Sequence, residues 1–242
     1  MAINGYQLPE KIGAQANDGS SELHWFMAKE GIPFVAAFIV PAIVLALLGL
    51  WAGGAALLVV AAYMAYFFRD PERRPPTDDR IIVSPADGRV VQVVHLNPEA
   101  RRESATQVSI FLSPLDVHIN RSPIGGKVVG VVHKPGAFHI ASRDVASVEN
   151  EQNVVTVEGK FVTIVFRQIA GVLARRVVCW KRNGDEVGLG ERIGLMKFGS
   201  RMDVLVPEGV EVLVGKGDRV TGGITVIGRL PSAPDRQGET NG

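Results

Sequence analysis

Hydrophobic positions along this chain change character at residue 69. Residues 31–68 contain no Asp, Glu, Lys, Arg or His. As one helix that run would be about 57 Å long, against a bilayer hydrocarbon core of about 30 Å. Two apolar helices at 32–50 and 55–68, joined by a turn around Gly49, Gly53 and Gly54, suit the length better. The expectation is a membrane-associated helical hairpin, either spanning the bilayer or dipping into one leaflet. A signal peptide has a short apolar region close to the N-terminus; here about thirty mostly polar residues come first. Trp25, Trp51, Tyr63 and Tyr66 suit the membrane interface.

Residues 69–80 (RDPERRPPTDDR) are rich in proline and charge and read as a linker. Beyond them, short runs of Val, Ile and Phe alternate with Gly, Pro, Asn and Asp. These predict strands at 81–83, 89–94, 107–112, 127–133, 154–157, 161–166, 175–180, 202–206 and 223–228. Strands so closely spaced, with no long amphipathic helix between them, predict a mainly β sandwich or barrel rather than βαβ units. In Ser84-Pro85-Ala86-Asp87-Gly88-Arg89-Val90 and Val214-Gly215-Lys216-Gly217-Asp218-Arg219-Val220, a turn rich in Asp and Gly leads into a valine strand. Those turns are similar to the ones in biotinyl- and lipoyl-carrier domains, so the expected body is like a barrel-sandwich hybrid. The chain then divides into a polar segment (1–30), the hairpin (31–68), the linker (69–80), a β-rich domain (81–230) and a polar tail (231–242).

Charge narrows the functional classes. Lys+Arg 26 against Asp+Glu 25 leaves a net charge of +1, with no overall basic field to recruit nucleic acid. Residues 1–68 hold two basic and four acidic residues, so the remainder carries a slight positive bias, net +3, that suits anionic lipid. Lys29 before the hairpin and Arg69, Arg73 and Arg74 after it favour a body on the cytoplasmic face of the membrane, although Asp70 and Glu72 dilute that cue. The single cysteine, Cys179, excludes an intramolecular disulfide and a multi-cysteine metal site. It reads as a buried strand residue in a reducing compartment.

No P-loop, Rossmann fingerprint, HExxH or GxSxG is present, and the histidines His24, His95, His118, His133 and His139 lack metal-ligand spacing, so no metal is expected. The informative stretch is residues 190–204, GERIGLMKFGSRMDV. Together with residues 84–90, 112–123 (LSPLDVHINRSP) and 135–153, it resembles the phosphatidylserine decarboxylase proenzymes in their short form. The most specific element is Phe198-Gly199-Ser200-Arg201-x-Asp203.

That resemblance implies self-cleavage between Gly199 and Ser200. Ser200 Oγ would attack the Gly199 carbonyl, and β-elimination would release a β chain, 1–199, from an α chain, 200–242. The residue left from Ser200 would become a pyruvoyl cofactor that forms a Schiff base with the substrate amine. Phosphatidylserine would be converted to phosphatidylethanolamine and CO2. A homo-oligomer is compatible with the resemblance. Asp87 matches the family's acidic position associated with maturation, and His118 a histidine associated with decarboxylation. Long bacterial members carry a second histidine where this chain has Arg121, and Leu-Gly-Ser-Thr where it has Phe-Gly-Ser-Arg. The base that activates Ser200 is thus open: His118 twice over, or another group such as His139, with His133 ranked lower. Arg121 and Lys197 are cations for a substrate phosphate or carboxylate, or else solvated charges. Two other functions compete: a membrane-tethered carrier acylated on Lys197, and a pyruvoyl decarboxylase of a soluble amino acid.

Overall fold

The computed structural model describes residues 27–96, 104–137, 139, 146–171, 177–197 and 199–231. Trp25, Phe198 and the tail from 232 lie outside the described residues. After a 3-10 turn at Lys29–Gly31 come two helices, α1 (Ile32–Leu47) and α2 (Trp51–Phe67). The sequence places the turn too late and α2 too short. Gly49, at φ 76°, makes the turn, whereas Gly53 and Gly54 belong to α2. At Gly54 a Cβ would lie 3.0 Å from the Ala42 carbonyl oxygen, so this glycine lets the helices approach closely. Both helices are apolar all round, and Val40, Ile43, Leu47, Trp51 and Val59 are exposed. The segment Lys29–Leu47 is long and apolar enough to cross a membrane, which points to membrane association.

The body is mainly β. Its largest sheet curls into a half-barrel. That sheet contains β2 (Gly88–Leu96), β3 (Ala105–Leu112), β5 (Gly126–Lys134), β6 (Gln152–Glu158), β7 (Thr163–Ile169), β9 (Glu186–Val187), β11 (Ser200–Pro207) and β13 (Arg219–Val220). All its pairings are antiparallel, in the order β13-β2-β3-β11-β7-β6-β5-β9. A second sheet joins β4 (Ile119–Arg121), β10 (Arg192–Met196) and β8 (Val177–Cys179) in the order β4-β10-β8. A third joins β1 (Ile81–Val83), β14 (Val226–Arg229) and β12 (Glu211–Val212) in the order β1-β14-β12. One short helix, α3 (Ala146–Glu149), interrupts the strands. The main core is built from inward-facing residues such as Val108, Ile110, Phe166, Met202 and Val204.

The hairpin is packed onto this body. Phe67 and Phe68 form a second apolar cluster with Val117, Ile119 and Leu195, and Phe34 and Trp180 close its edge. Trp180 Nε1 donates to Glu30 Oε1 at 2.8 Å, and Ala28 N to the Phe68 carbonyl at 2.8 Å. The β4-β10-β8 sheet therefore has the hairpin base on one side. On its other side Asn120 accepts a hydrogen bond from Gln168 of β7. Residues 70–80 form no helix or regular strand, consistent with a linker, yet they are tied down. Buried Asp70 pairs with Arg192 at 2.7 Å and Arg121 at 3.6 Å, and Arg73 pairs with Asp87 at 3.0 Å.

Candidate active site

Ser200 opens β11, the strand held between β3 and β7, and lies opposite Leu112 in the ladder. Alternation puts Ser200 on the same face as Met202, Val204 and Val206, the face that looks into the core. Its side chain is fully buried, and its Oγ has no hydrogen-bond partner among the described residues. A buried hydroxyl left unpaired costs about 1–3 kcal/mol. The preceding Gly199 sits at φ 65°, with open space where a Cβ would be. The backbone angle, rather than crowding, is what favours glycine there.

His118 follows the turn after β3 and is tied by its backbone to the end of β10, the strand before Ser200. The turn leading to it starts just after Leu112, the partner of Ser200. Its carbonyl accepts from Met196 N at 3.1 Å, at the end of β10. The imidazole is fully buried, and its Nδ1 lies 2.9 Å from the Asp116 carbonyl oxygen. A carbonyl only accepts, so Nδ1 carries the proton and Nε2 presents a lone pair. Nε2 is also buried without a partner. Burial drives the pKa of His118 down to about 4, and the Asp116 carbonyl and carboxylate offset this only in part. His118 thus presents a buried, neutral imidazole and Ser200 a buried hydroxyl, neither Nε2 nor Oγ having a partner among the described residues.

Asp116, which sequence reasoning did not single out, holds the turn before His118. Its Oδ2 accepts from Ser113 N at 2.8 Å and closes the turn, while its Oδ1 binds Arg219 at 2.6 Å. The available signal was Ser113-Pro114-Leu115-Asp116, an Asp accepting from a backbone N–H three residues earlier. The chain Asn120–Gln168–Asn153–His133, buried except at His133, was also missed as a unit. Its links run from Gln168 Nε2 to Asn120 Oδ1 (2.8 Å), from Asn153 Nδ2 to Gln168 Oε1 (3.3 Å), and between His133 Nδ1 and Asn153 Oδ1 (2.8 Å). It leads to a cleft of about 610 Å³ lined by His133, Glu151, Asn153, Val178 and Cys179. A glutamine inside the apolar strand TIVFRQI was the visible clue.

Asp87 does not hydrogen-bond His118 or Ser200. Gly222 N donates to its Oδ1 at 2.7 Å, and Arg73 occupies Oδ2. Burial pushes its pKa up, and those two donors pull it back. Arg121 is neither a solvated charge nor free for substrate. It is buried and donates to the Gly190 and Pro71 carbonyls at 3.0 and 2.8 Å. Burial and neighbouring Arg192 lower its pKa to about 10. The ring of His139 is 43 % exposed and paired with Glu149 at 2.8 Å, so it makes no bond to buried Ser200. Lys197 lies over the Phe34 ring at 5.2 Å. Cys179 is half-buried; burial raises its thiol pKa, which disfavours the nucleophilic thiolate. Arg201 and Asp203 point to the sheet's other face, where Arg201 binds Asp203 (2.7 Å), Ser109 (2.7 Å) and Gln92 (2.9 Å). They lock β11 to its neighbours.

The state of His118 has a consequence for stability. Above pH 6.5 the imidazole is neutral whether the chain is folded or unfolded. Between about pH 6.5 and 4 the unfolded chain takes up a proton that the folded one refuses, so stability falls as pH falls, by up to about 3 kcal/mol. Denaturation of the protein in detergent at pH 7 and pH 4.5 should show this loss, and His118→Gln should flatten it. An unchanged slope in the variant would assign the acid sensitivity elsewhere.

The sequence profile of the family described as phosphatidylserine decarboxylase matches residues 60–228, from within α2 to β14. The phosphatidylserine decarboxylase proenzyme of Solibacter usitatus (strain Ellin6076) is 51% identical over 173 residues, covering 72% of this chain and 81% of that protein. The chain is a carboxy-lyase. More narrowly, it belongs to the phosphatidylserine decarboxylase family.

Proposed function

We propose that this chain is a proenzyme that cuts itself between Gly199 and Ser200 and then decarboxylates phosphatidylserine to phosphatidylethanolamine at the cytoplasmic membrane surface. The observation that carries the reading is the buried Ser200 Oγ, unpaired among the described residues, after left-handed Gly199, just beyond the strand whose Met196 N donates to the His118 carbonyl. His118 Nε2 is the acceptor for the Ser200 proton. Oγ attacks the Gly199 carbonyl and the acyl group moves from N to O. Loss of the Ser200 α-proton then expels the Gly199 carboxylate. Hydrolysis of the resulting enamine releases ammonia and leaves the α chain capped by a pyruvoyl group.

The buried Ser200 position fits that group, since it is small, dry and free of competing hydrogen bonds. When present, the pyruvoyl group supplies an electron-accepting carbonyl for loss of CO2 from an amino acid head group. His118 moves the proton that replaces the carboxylate. Lys197 has no ion pair among the described residues and sits at the hairpin base, and we assign it to the lipid phosphate; Arg121 is committed to Asp70 and Pro71. Its position against α1, between two strands, suits a carrier lysine poorly, because such a lysine must swing out from an exposed hairpin.

Intact masses of the purified protein test the reading. Two chains breaking after Gly199, with a blocked N-terminus on the smaller, and CO2 release from phosphatidylserine vesicles are expected. A single full-length chain with added mass on Lys197 would support the carrier instead. CO2 released from free amino acids alone would change the substrate.

A further inference from the structure

Phe67 is the last residue of α2 and is completely buried. Its ring lies 4.2 Å from the His118 imidazole, centroid to centroid, with the planes tilted by 33°. Phe68 meets Phe67 edge-on at 5.0 Å and itself stacks on Phe34 of α1 at 5.1 Å. An unbroken file of aromatic rings therefore runs from the first turn of the apolar hairpin to the imidazole. The same end of α2 grips the turn before His118. Tyr63 Oη donates to the Pro114 carbonyl and Tyr66 Oη to the Leu115 carbonyl, each at 3.4 Å. Arg69 Nη2 donates to the Leu115 carbonyl at 2.8 Å.

The polar constraints on the imidazole are few. Nδ1 is tied to the Asp116 carbonyl, and Nε2 has no partner. The charged groups near it are Asp116 on its own turn, already bound to Arg219 and to Ser113 N, and Arg69 from the end of α2. From β10, the Met196 N–H donates to the His118 backbone carbonyl and leaves the imidazole untouched. One hydrogen bond leaves a ring free to rotate about that bond, and an unpaired Nε2 invites water. The flat face of Phe67 lies against the ring and opposes both. A shorter side chain there would open a space beside a polar nitrogen, which water fills.

We propose that Phe67 is a positioning residue: the last side chain of the apolar hairpin keeps the His118 imidazole dry and in one orientation, so the hairpin is part of the catalytic apparatus as well as an anchor. The proposal rests on His118 being the proton-transfer group. The hairpin base would then transmit its seating to the base that works on Ser200.

The test uses the full chain in detergent micelles with ¹⁵N-labelled histidine, the His118 signal being assigned by its loss in His118→Gln. In the unsubstituted protein, His118 should remain the neutral Nδ1–H tautomer down to about pH 5. In Phe67→Leu it should titrate closer to the free value of about 6.5 with mixed tautomers. The acid limb of kcat should shift upward by about one pH unit, and kcat at neutral pH should fall by about tenfold with little change in KM. Phe67→Met, which keeps volume and apolarity, is the second variant should Phe67→Leu fail to fold. A His118 that titrates near 6.5 in the unsubstituted protein would overturn the proposal without any variant. So would a folded variant with an unchanged tautomer and titration, whatever its activity. A shifted titration with an unchanged pH profile would uphold the positioning and remove His118 from the chemistry instead.

Discussion

Ser200→Ala should yield a single 242-residue chain that never splits and never releases CO2 from phosphatidylserine. The substitution removes one atom with two duties, the nucleophile that attacks Gly199 and the oxygen whose departure from Cβ frees the two chains. It should leave the fold intact. Ser200 Oγ makes no hydrogen bond, and the position faces Met202 and the apolar core, so alanine removes an unsatisfied polar atom without opening a large space. The thermal midpoint should stay level or rise. A denaturing gel and an intact mass decide the first point, and a melt in detergent the second. A variant that still splits after residue 199 would assign cleavage to another agent, such as a contaminating protease.

His118→Gln should be nearly as damaging. Glutamine keeps a polar side chain near the Asp116 carbonyl but cannot cycle a proton at neutral pH. Loss of a positioned acid–base group costs about 10²–10⁴-fold in rate. Decarboxylation by any enzyme that does mature should fall by that factor, measured as CO2 per pyruvoyl-bearing chain. The ratio of uncut to cut chain after synthesis should rise, since Ser200 loses its acceptor. His139→Gln is the companion variant. With its ring half in solvent and paired to Glu149, it should change both rates by less than about twofold, the ordinary effect of a surface substitution away from the chemistry. An equal loss in the two variants would return the activating base to His139.

What the sequence made legible was what local pattern controls. A run without charge gave the hairpin, and alternation in 107–112 and 202–206 gave β3 and β11 nearly to their ends. Short strands such as β4 and β10 were not foreseen. Their residues, Ile119-Asn120-Arg121 and Arg192-Ile193-Gly194-Leu195-Met196, take their conformation from each other and from the hairpin base. Gly53 and Gly54 read as turn residues because composition cannot distinguish a bend from a close helix contact. Arg121 read as a surface cation because its partners, Asp70, Pro71 and Gly190, are distant in sequence. Ser200, Gly199, His118 and Asp87 were found through motifs; the carboxylate of Asp87 is held by Arg73 and Gly222. The group that orients His118 is a backbone carbonyl, which no side-chain motif displays.

The central place of β11 has a further consequence, for reversibility. Once the bond before Ser200 is cut, the 43-residue α chain still supplies the strand between β3 and β7, along with β12, β13 and β14. While the sheet stands, the fragment cannot slip out, because that would break two ladders at once. After unfolding, the return is no longer a closure within one chain but a meeting of two molecules, without the effective concentration that a covalent link provides. On the proposed self-cleavage, maturation would work as a ratchet: the polypeptide folds whole and is cut afterwards, and a cut enzyme that has been denatured regains its sheet only by bimolecular association.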